Sequence, residues 1–135
     1  MSPDGQDRKT LGQSFSVGWD FELHWSPDSR FIAFTGREEP EDKSIRETEQ
    51  AVFQGHKVYI VDTVTGEERR LVSDEKGGDV GPAWSPDGKR IAFLSIRSGT
   101  SEVWVTSLDG TELYQLTSDG QPKRWAPVWL TAPGR

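Results

Sequence analysis

Short runs of large apolar residues, separated by polar turn words, set the rhythm of this chain. RIAFLS (90–95) and EVWVTS (102–107) are rich in β-branched and aromatic residues and bounded by turn sequences, which predicts strands rather than helices. The word ahead of the first run, SPDG, is a turn with a mechanism. Proline pre-sets φ at the second position, the Asp side chain hydrogen-bonds nearby backbone, and Gly tolerates a left-handed exit. LDGTE and VTGEE are hairpin turns of the same kind, with Asp-Gly and Thr-Gly at the tip.

The pattern repeats. AWSPDGKRIAFLS (83–95) echoes HWSPDSRFIAFTG (24–36), so that Trp25 falls on Trp84 and Ile32, Ala33 and Phe34 fall on Ile91, Ala92 and Phe93. A third, damaged copy, PVWLTAPGR (127–135), places Pro127 on Pro82 and Trp129 on Trp84. KVYIVDTVTGEERRLV (57–72) lies over EVWVTSLDGTELYQLT (102–117), with Leu71 on Leu116. The N-terminal DGQDRKTLG (4–12) fits the same register, Leu11 on Leu116. From these leucines to Trp25, Trp84 and Trp129 the chain runs 14, 13 and 13 residues. One unit is therefore four short antiparallel strands. The first carries the proline-tryptophan word, the second Ile-Ala-Phe, the third VYIV or VWVT, and the fourth ends in Leu71 or Leu116.

A four-stranded unit recurring about every 45 residues is the signature of a propeller blade. PAWSPDGKRIAFLSIRSGTSEVWVTSLDGTELYQLT (82–117) resembles the TolB-like propeller repeat, which is similar to blades of prolyl oligopeptidase-type and tricorn-like proteases. The resemblance implies an all-β fold and, in complete relatives, a ring of six blades. The expected organisation is one domain over 1–135. An outer strand of a partial blade with its connector occupies 1–18, and a first full blade occupies 19–72. A second full blade spans 80–117, and the inner strand of a further partial blade spans 124–131. The first copy departs from the pattern at Ser29, which replaces the turn glycine.

Two full blades cannot ring an axis, so this is an incomplete propeller. Unpaired strand edges and half-covered sheet faces are costly when left open, and a repeat that cannot bury its own face needs neighbours. Either the chain is cut from a longer protein or it finishes itself by association, and the expectation is a homo-oligomer built by edge pairing or blade-to-blade stacking between copies. The first copy is also longer, 59 residues from Trp25 to Trp84 against 45 from Trp84 to Trp129. The excess is an acidic insertion over 36–56, where Ser44 and Glu47 make a capping box that opens a helix of two turns to Phe53. A tolerated surface excursion accounts for it as well as a partner-touching loop does.

Composition narrows the function. Apolar residues make up 33 % of the 135, but six Trp, six Phe and two Tyr concentrate burial in a few large side chains. The net charge of −6 argues against a nucleic-acid groove, and no run is apolar enough for membrane insertion. The N-terminus is polar from the start, which places the protein in the cytoplasm if that start is native and in the periplasm if a signal peptide has been removed. There is no cysteine.

No Gly-x-Ser-x-Gly elbow, phosphate-cradling loop or metal-spaced cluster is present, so no catalytic residue, metal or cofactor is expected. His24 and His56 read as structural histidines. Trp25, Trp84 and Trp129 share one repeat position and read as packing between blades, as do Phe34 and Phe93. Trp19 and Trp125 differ, since both fall in connections leading to a first strand. With Arg124 and with Arg97, in the exposed hairpin SIRSGTSE, they are the candidate binding residues, suited to stacking on and hydrogen-bonding a peptide or sugar. The expectation is a non-enzymatic protein- or peptide-interaction module. The alternative is an accessory propeller fragment of a peptidase or carbohydrate-active enzyme, and a third reading is a degenerate chain that keeps its fold without a specific ligand.

Overall fold

A computed structural model of the chain describes residues 23–37, 55–72, 78–123 and 125–130. Among the described residues there is no helix. Eight strands follow one another: β1 (His24–Trp25), β2 (Phe31–Arg37), β3 (His56–Asp62), β4 (Glu68–Arg70), β5 (Asp79–Trp84), β6 (Arg90–Ser95), β7 (Glu102–Ser107) and β8 (Leu113–Gln115). They form two four-stranded antiparallel sheets, ordered β1-β2-β3-β4 and β5-β6-β7-β8. These are the two propeller-type blades expected from the repeat, and they form an open arrangement, not a closed ring. The helix expected in the insertion, the strand around Leu11, Trp19 and Arg124 lie outside the described residues.

The sequence repeat is also a repeat of strand pairing. Phe34 faces Tyr59 across β2 and β3, and Phe93 faces Trp104 across β6 and β7. Ile32 faces Val61 as Ile91 faces Thr106. Because side chains alternate across a strand, this register sorts each sheet into two faces. Ala33, Val58, Ile60 and Leu71 of the first sheet pack with Trp84, Ile91 and Phe93 of the second in one buried core. On the other face of the first sheet Ile32, Phe34, Tyr59 and Val61 cluster, with the Phe34 and Tyr59 rings stacked 5.7 Å apart. In the second sheet Val80 and Leu94 are buried with Ile96 and Val103 against them.

Polar ties between backbone and side chains also lock the sheets together. The β5–β6 ladder loses register between Val80 and Ala83. A bulge of this kind leaves backbone groups without ladder partners, and the N–H of Gly81, at φ 67°, donates to the buried Thr35 hydroxyl 3.0 Å away. The indole N–H of Trp84 crosses to β1 and donates to the carbonyl of His24 at 2.9 Å.

The turns repeat as closely as the strands. In each of three, a serine hydroxyl donates to the aspartate two residues on: Ser26 to Asp28 at 2.5 Å, Ser85 to Asp87 at 2.6 Å and Ser107 to Asp109 at 2.6 Å. The same serine oxygen accepts the N–H five residues on, from Phe31, Arg90 and Glu112. Ser29 keeps the left-handed turn with φ 60°, where Gly88 has φ 72°. The missing glycine is thus replaced at the cost of a strained serine.

Candidate interaction surface

Beyond β8 the chain is pinned rather than paired. Glu102, at the start of β7 and almost fully buried, receives the Thr117 hydroxyl on one carboxylate oxygen and the Gly120 N–H at 3.0 Å on the other. The Lys123 ammonium lies 3.4 Å from the same carboxylate and 2.6 Å from Asp119. The Thr117 hydrogen bond, with the Gly120 N–H and the Lys123 charge behind it, holds the Glu102 carboxyl below its ordinary range. Lys123 is raised in turn, chiefly by its hydrogen bond to Asp119. Ser101 completes the clamp, its hydroxyl donating to the Lys123 carbonyl and accepting the Lys123 N–H, both at 2.7 Å. Buried charges are stable only when paired and hydrogen-bonded, and this network fixes where the chain leaves the second blade.

It leaves into residues 125–130, which carry no ladder pairing among the described residues. One bond orients them: the Trp129 indole N–H donates to the carbonyl of Ala83 at 2.8 Å. That is the Trp84–His24 bond shifted by one blade, because Trp129 holds the repeat position of Trp84 and Ala83 that of His24. Three side chains of the segment stand in solvent. Trp125, Val128 and Leu130 are 82 %, 79 % and 88 % exposed, whereas Val80, Ala83 and Ser85 at the same repeat positions are 0 %, 8 % and 4 %. Leu116 is exposed where Leu71 is buried, and at the opposite edge Trp25 is exposed where Trp84 is buried.

Of the candidate binding residues, Trp125 is on this exposed segment. Arg97 is not where an exposed hairpin would put it. Its guanidinium is buried, one nitrogen lying 2.9 and 2.8 Å from the two oxygens of a buried Asp79 and Nε donating to Ser95 at 2.9 Å. Its plane lies over the rings of Phe93 and Trp104, at 5.8 and 5.3 Å from their centres. An aspartate at the start of β5 accounts for the difference, since a buried carboxylate draws the nearest cation inward. Sequence reading passed over Asp79 and Glu102. Asp79 had a signal: Asp20 occupies the same repeat position ahead of Trp25. Glu102 had none, because Lys57 stands at its place in the first copy. Among the described residues no group of three His, Asp or Glu side chains gathers as a metal site, and no helix is long and apolar enough to cross a membrane.

No protein-family model matches the chain. It is 34 % identical over 103 residues, 76 % of its length, to an uncharacterized protein of Agrobacterium fabrum, of which it spans 30 %. To the Tol-Pal system protein TolB of Bordetella pertussis it is 40 % identical over 53 residues, 39 % of this chain and 12 % of that one. Its fold superposes on a TolB structure from Agrobacterium tumefaciens with a TM-score of 0.64 and 27 % identity, over 88 % of this chain and 35 % of that one. The chain thus spans about a third of the length of the two Agrobacterium proteins and 12 % of the Bordetella one.

Proposed function

We propose that these TolB-like propeller blades form a non-enzymatic module that binds protein or peptide and completes itself by association with other polypeptide. The observation that carries this reading is the mismatch across the repeat: Leu116, Val128 and Leu130 stand in solvent, whereas Leu71, Ala83 and Ser85 at the same repeat positions are buried. Apolar surface exposed in this way marks an interaction site, and blades need neighbours on both sides. The Tol-Pal system relatives support protein partners and favour the periplasm over the cytoplasm as the setting. Trp125 supplies an exposed aromatic to the rim, and Trp19 and Arg124 join it by sequence position. Sedimentation velocity at micromolar concentration tests the association. Species heavier than a single chain are expected, shifting toward the single chain in Leu116→Asp. A folded single chain at every concentration overturns self-association.

A further inference from the structure

We propose that the cleft between the two blades, at their turn ends, binds an acidic peptide and grips its carboxylate with Arg69 and Lys89. This rests on the reading above and names the chemistry of the peptide. The cleft lies between two four-stranded sheets. Arg69 on β4 stands on one side, Gly88 and Lys89 of the β5–β6 turn on another, and Ser107, Leu108 and Asp109 of the β7–β8 turn on the third. Its volume is about 380 Å³, inside the range of ligand pockets. The walls are braced against each other. A Cβ at Gly88 would lie 3.5 Å from the Pro27 ring of the first blade. The Leu108 N–H donates to the Lys89 carbonyl at 3.2 Å, and the Leu108 side chain packs on the core shared by the blades. The Arg69 guanidinium donates to the carbonyls of Leu108 and, at 3.3 Å, of Arg70. Those bonds orient it and leave its Nε–H and remaining hydrogens to a ligand.

The repeat explains why Lys89 is left to a ligand. Its counterpart in the first blade is Arg30, which pairs with Asp62 at 2.9 Å. The backbone is the same in both blades: the Thr63 N–H donates to the Arg30 carbonyl as the Leu108 N–H does to that of Lys89. The place of Asp62, however, is taken by the uncharged Ser107. Among the described residues neither Lys89 nor Arg69 is in an ion pair. Two exposed cations at one cleft, in a chain of net charge −6, repel each other and attract an anion. The acids nearby are engaged in their own turns. Asp87 accepts the Ser85 hydroxyl and the Lys89 N–H on one oxygen. Asp109 accepts the Ser107 hydroxyl and both the N–H and the hydroxyl of Thr111, again on one oxygen. The second oxygen of Asp109 takes none of these bonds and suits a peptide N–H, while its charge disfavours a multiply charged anion. The complement is one carboxylate for the two cations, one N–H for Asp109 and an apolar side chain over Leu108. A glutamate flanked by leucine supplies all three.

The probes are the tripeptides acetyl-Leu-Glu-Leu-amide and acetyl-Leu-Gln-Leu-amide, titrated into the nitrogen-labelled full chain and followed by NMR. Saturable shifts are expected at the amides of Gly88, Lys89, Leu108 and Asp109 and at the Arg69 Nε–H, with a Kd on the order of 1 mM for the Glu peptide. The Gln peptide is expected to bind about tenfold more weakly. Arg69→Gln and Lys89→Gln are each expected to weaken the Glu peptide about fivefold. Arg30→Gln, which removes the paired cation at the repeat position of Lys89, leaves it unchanged. The amide signals of β2, β3 and β6 report that each variant keeps its fold. No saturable shift at several millimolar, equal binding of the two peptides, shifts centred away from the cleft, or equal loss from Arg30→Gln overturns the proposal. Tighter binding of inorganic phosphate than of the Glu peptide also overturns it, since the cleft then takes a free oxyanion. Failure of the tripeptide with self-association intact removes this inference alone; a chain that never associates but still binds the tripeptide removes the self-completing reading alone.

Discussion

The indole N–H of Trp84 reaches across two sheets to the carbonyl of His24, 2.9 Å away. Trp84→Phe keeps a ring in the core but deletes the donor. The expected loss is about 1–2 kcal/mol, the hydrogen bond plus the missing part of the indole, measured by urea unfolding. Trp129→Phe, with the equivalent bond to Ala83, is expected to leave the unfolding midpoint nearly unchanged. Its effect belongs in hydrogen exchange, where residues 125–130 become faster. Equal midpoint losses in both variants count against the unequal burial of the two.

Arg97 and Asp79 form an ion pair with both side chains buried. Removing one partner strands the other, so Asp79→Ala costs about 3–5 kcal/mol. Asp79→Leu combined with Arg97→Met is expected to recover most of that, because it removes both charges and keeps apolar volume. A double variant no more stable than Asp79→Ala argues that the pair contributes more than its burial costs.

Glycines with the same backbone angle carry different burdens. Gly66 and Gly110 both have φ 77°, but a Cβ at Gly66 meets nothing within 4 Å, whereas one at Gly110 comes 2.7 Å from the carbonyl oxygen of Leu71. Gly66→Ala is expected to cost about 1 kcal/mol from the angle alone, and Gly110→Ala a further 1–3 kcal/mol, roughly the penalty for overpacking a core. Conversely, Ser29→Gly relieves a left-handed serine worth about 1–2 kcal/mol and returns roughly 0.5–1 to unfolded-chain freedom. A small net rise in midpoint is expected.

Acid weakens the turns. The Arg30 guanidinium, 2.9 Å from Asp62, with the N–H groups of Val64 and Thr65, holds the Asp62 carboxyl at about 2. The Ser107 hydroxyl, with the N–H and hydroxyl of Thr111, holds Asp109 at about 2. Both folded values lie below the ordinary 3.8. Their contribution is therefore complete above pH 4 and is lost as pH falls from about 4 to 2. Urea midpoints are expected to decline over that window in the unaltered chain and to decline less in Asp109→Asn. An unchanged slope in the variant places the acid sensitivity elsewhere.

The blades were legible because strand words and turn words repeat together: Ile-Ala-Phe beside SPDG predicts a strand and its exit, and the structure keeps the Phe34–Tyr59 and Phe93–Trp104 pairings in the same register. What escaped was polar and long-range. The buried position of Arg97 depends on Asp79, eighteen residues earlier on a neighbouring strand, and no local pattern announces that meeting. The Glu102 hub depends on Thr117, Gly120 and Lys123, which gather only once the hairpin folds back. Exposure at Val128 and Leu130 was hidden for another reason: they hold the repeat positions of Ala83 and Ser85, which are buried in the second blade, whereas Trp125 stood out because it falls in a connection.

The tryptophan bond has a direction. Trp84 gives to the first blade and Trp129 gives to the second, each to the carbonyl one residue before the preceding repeat tryptophan. The bond therefore runs one way along the chain, so that every such tryptophan is moored to the sheet already laid down and none reaches forward.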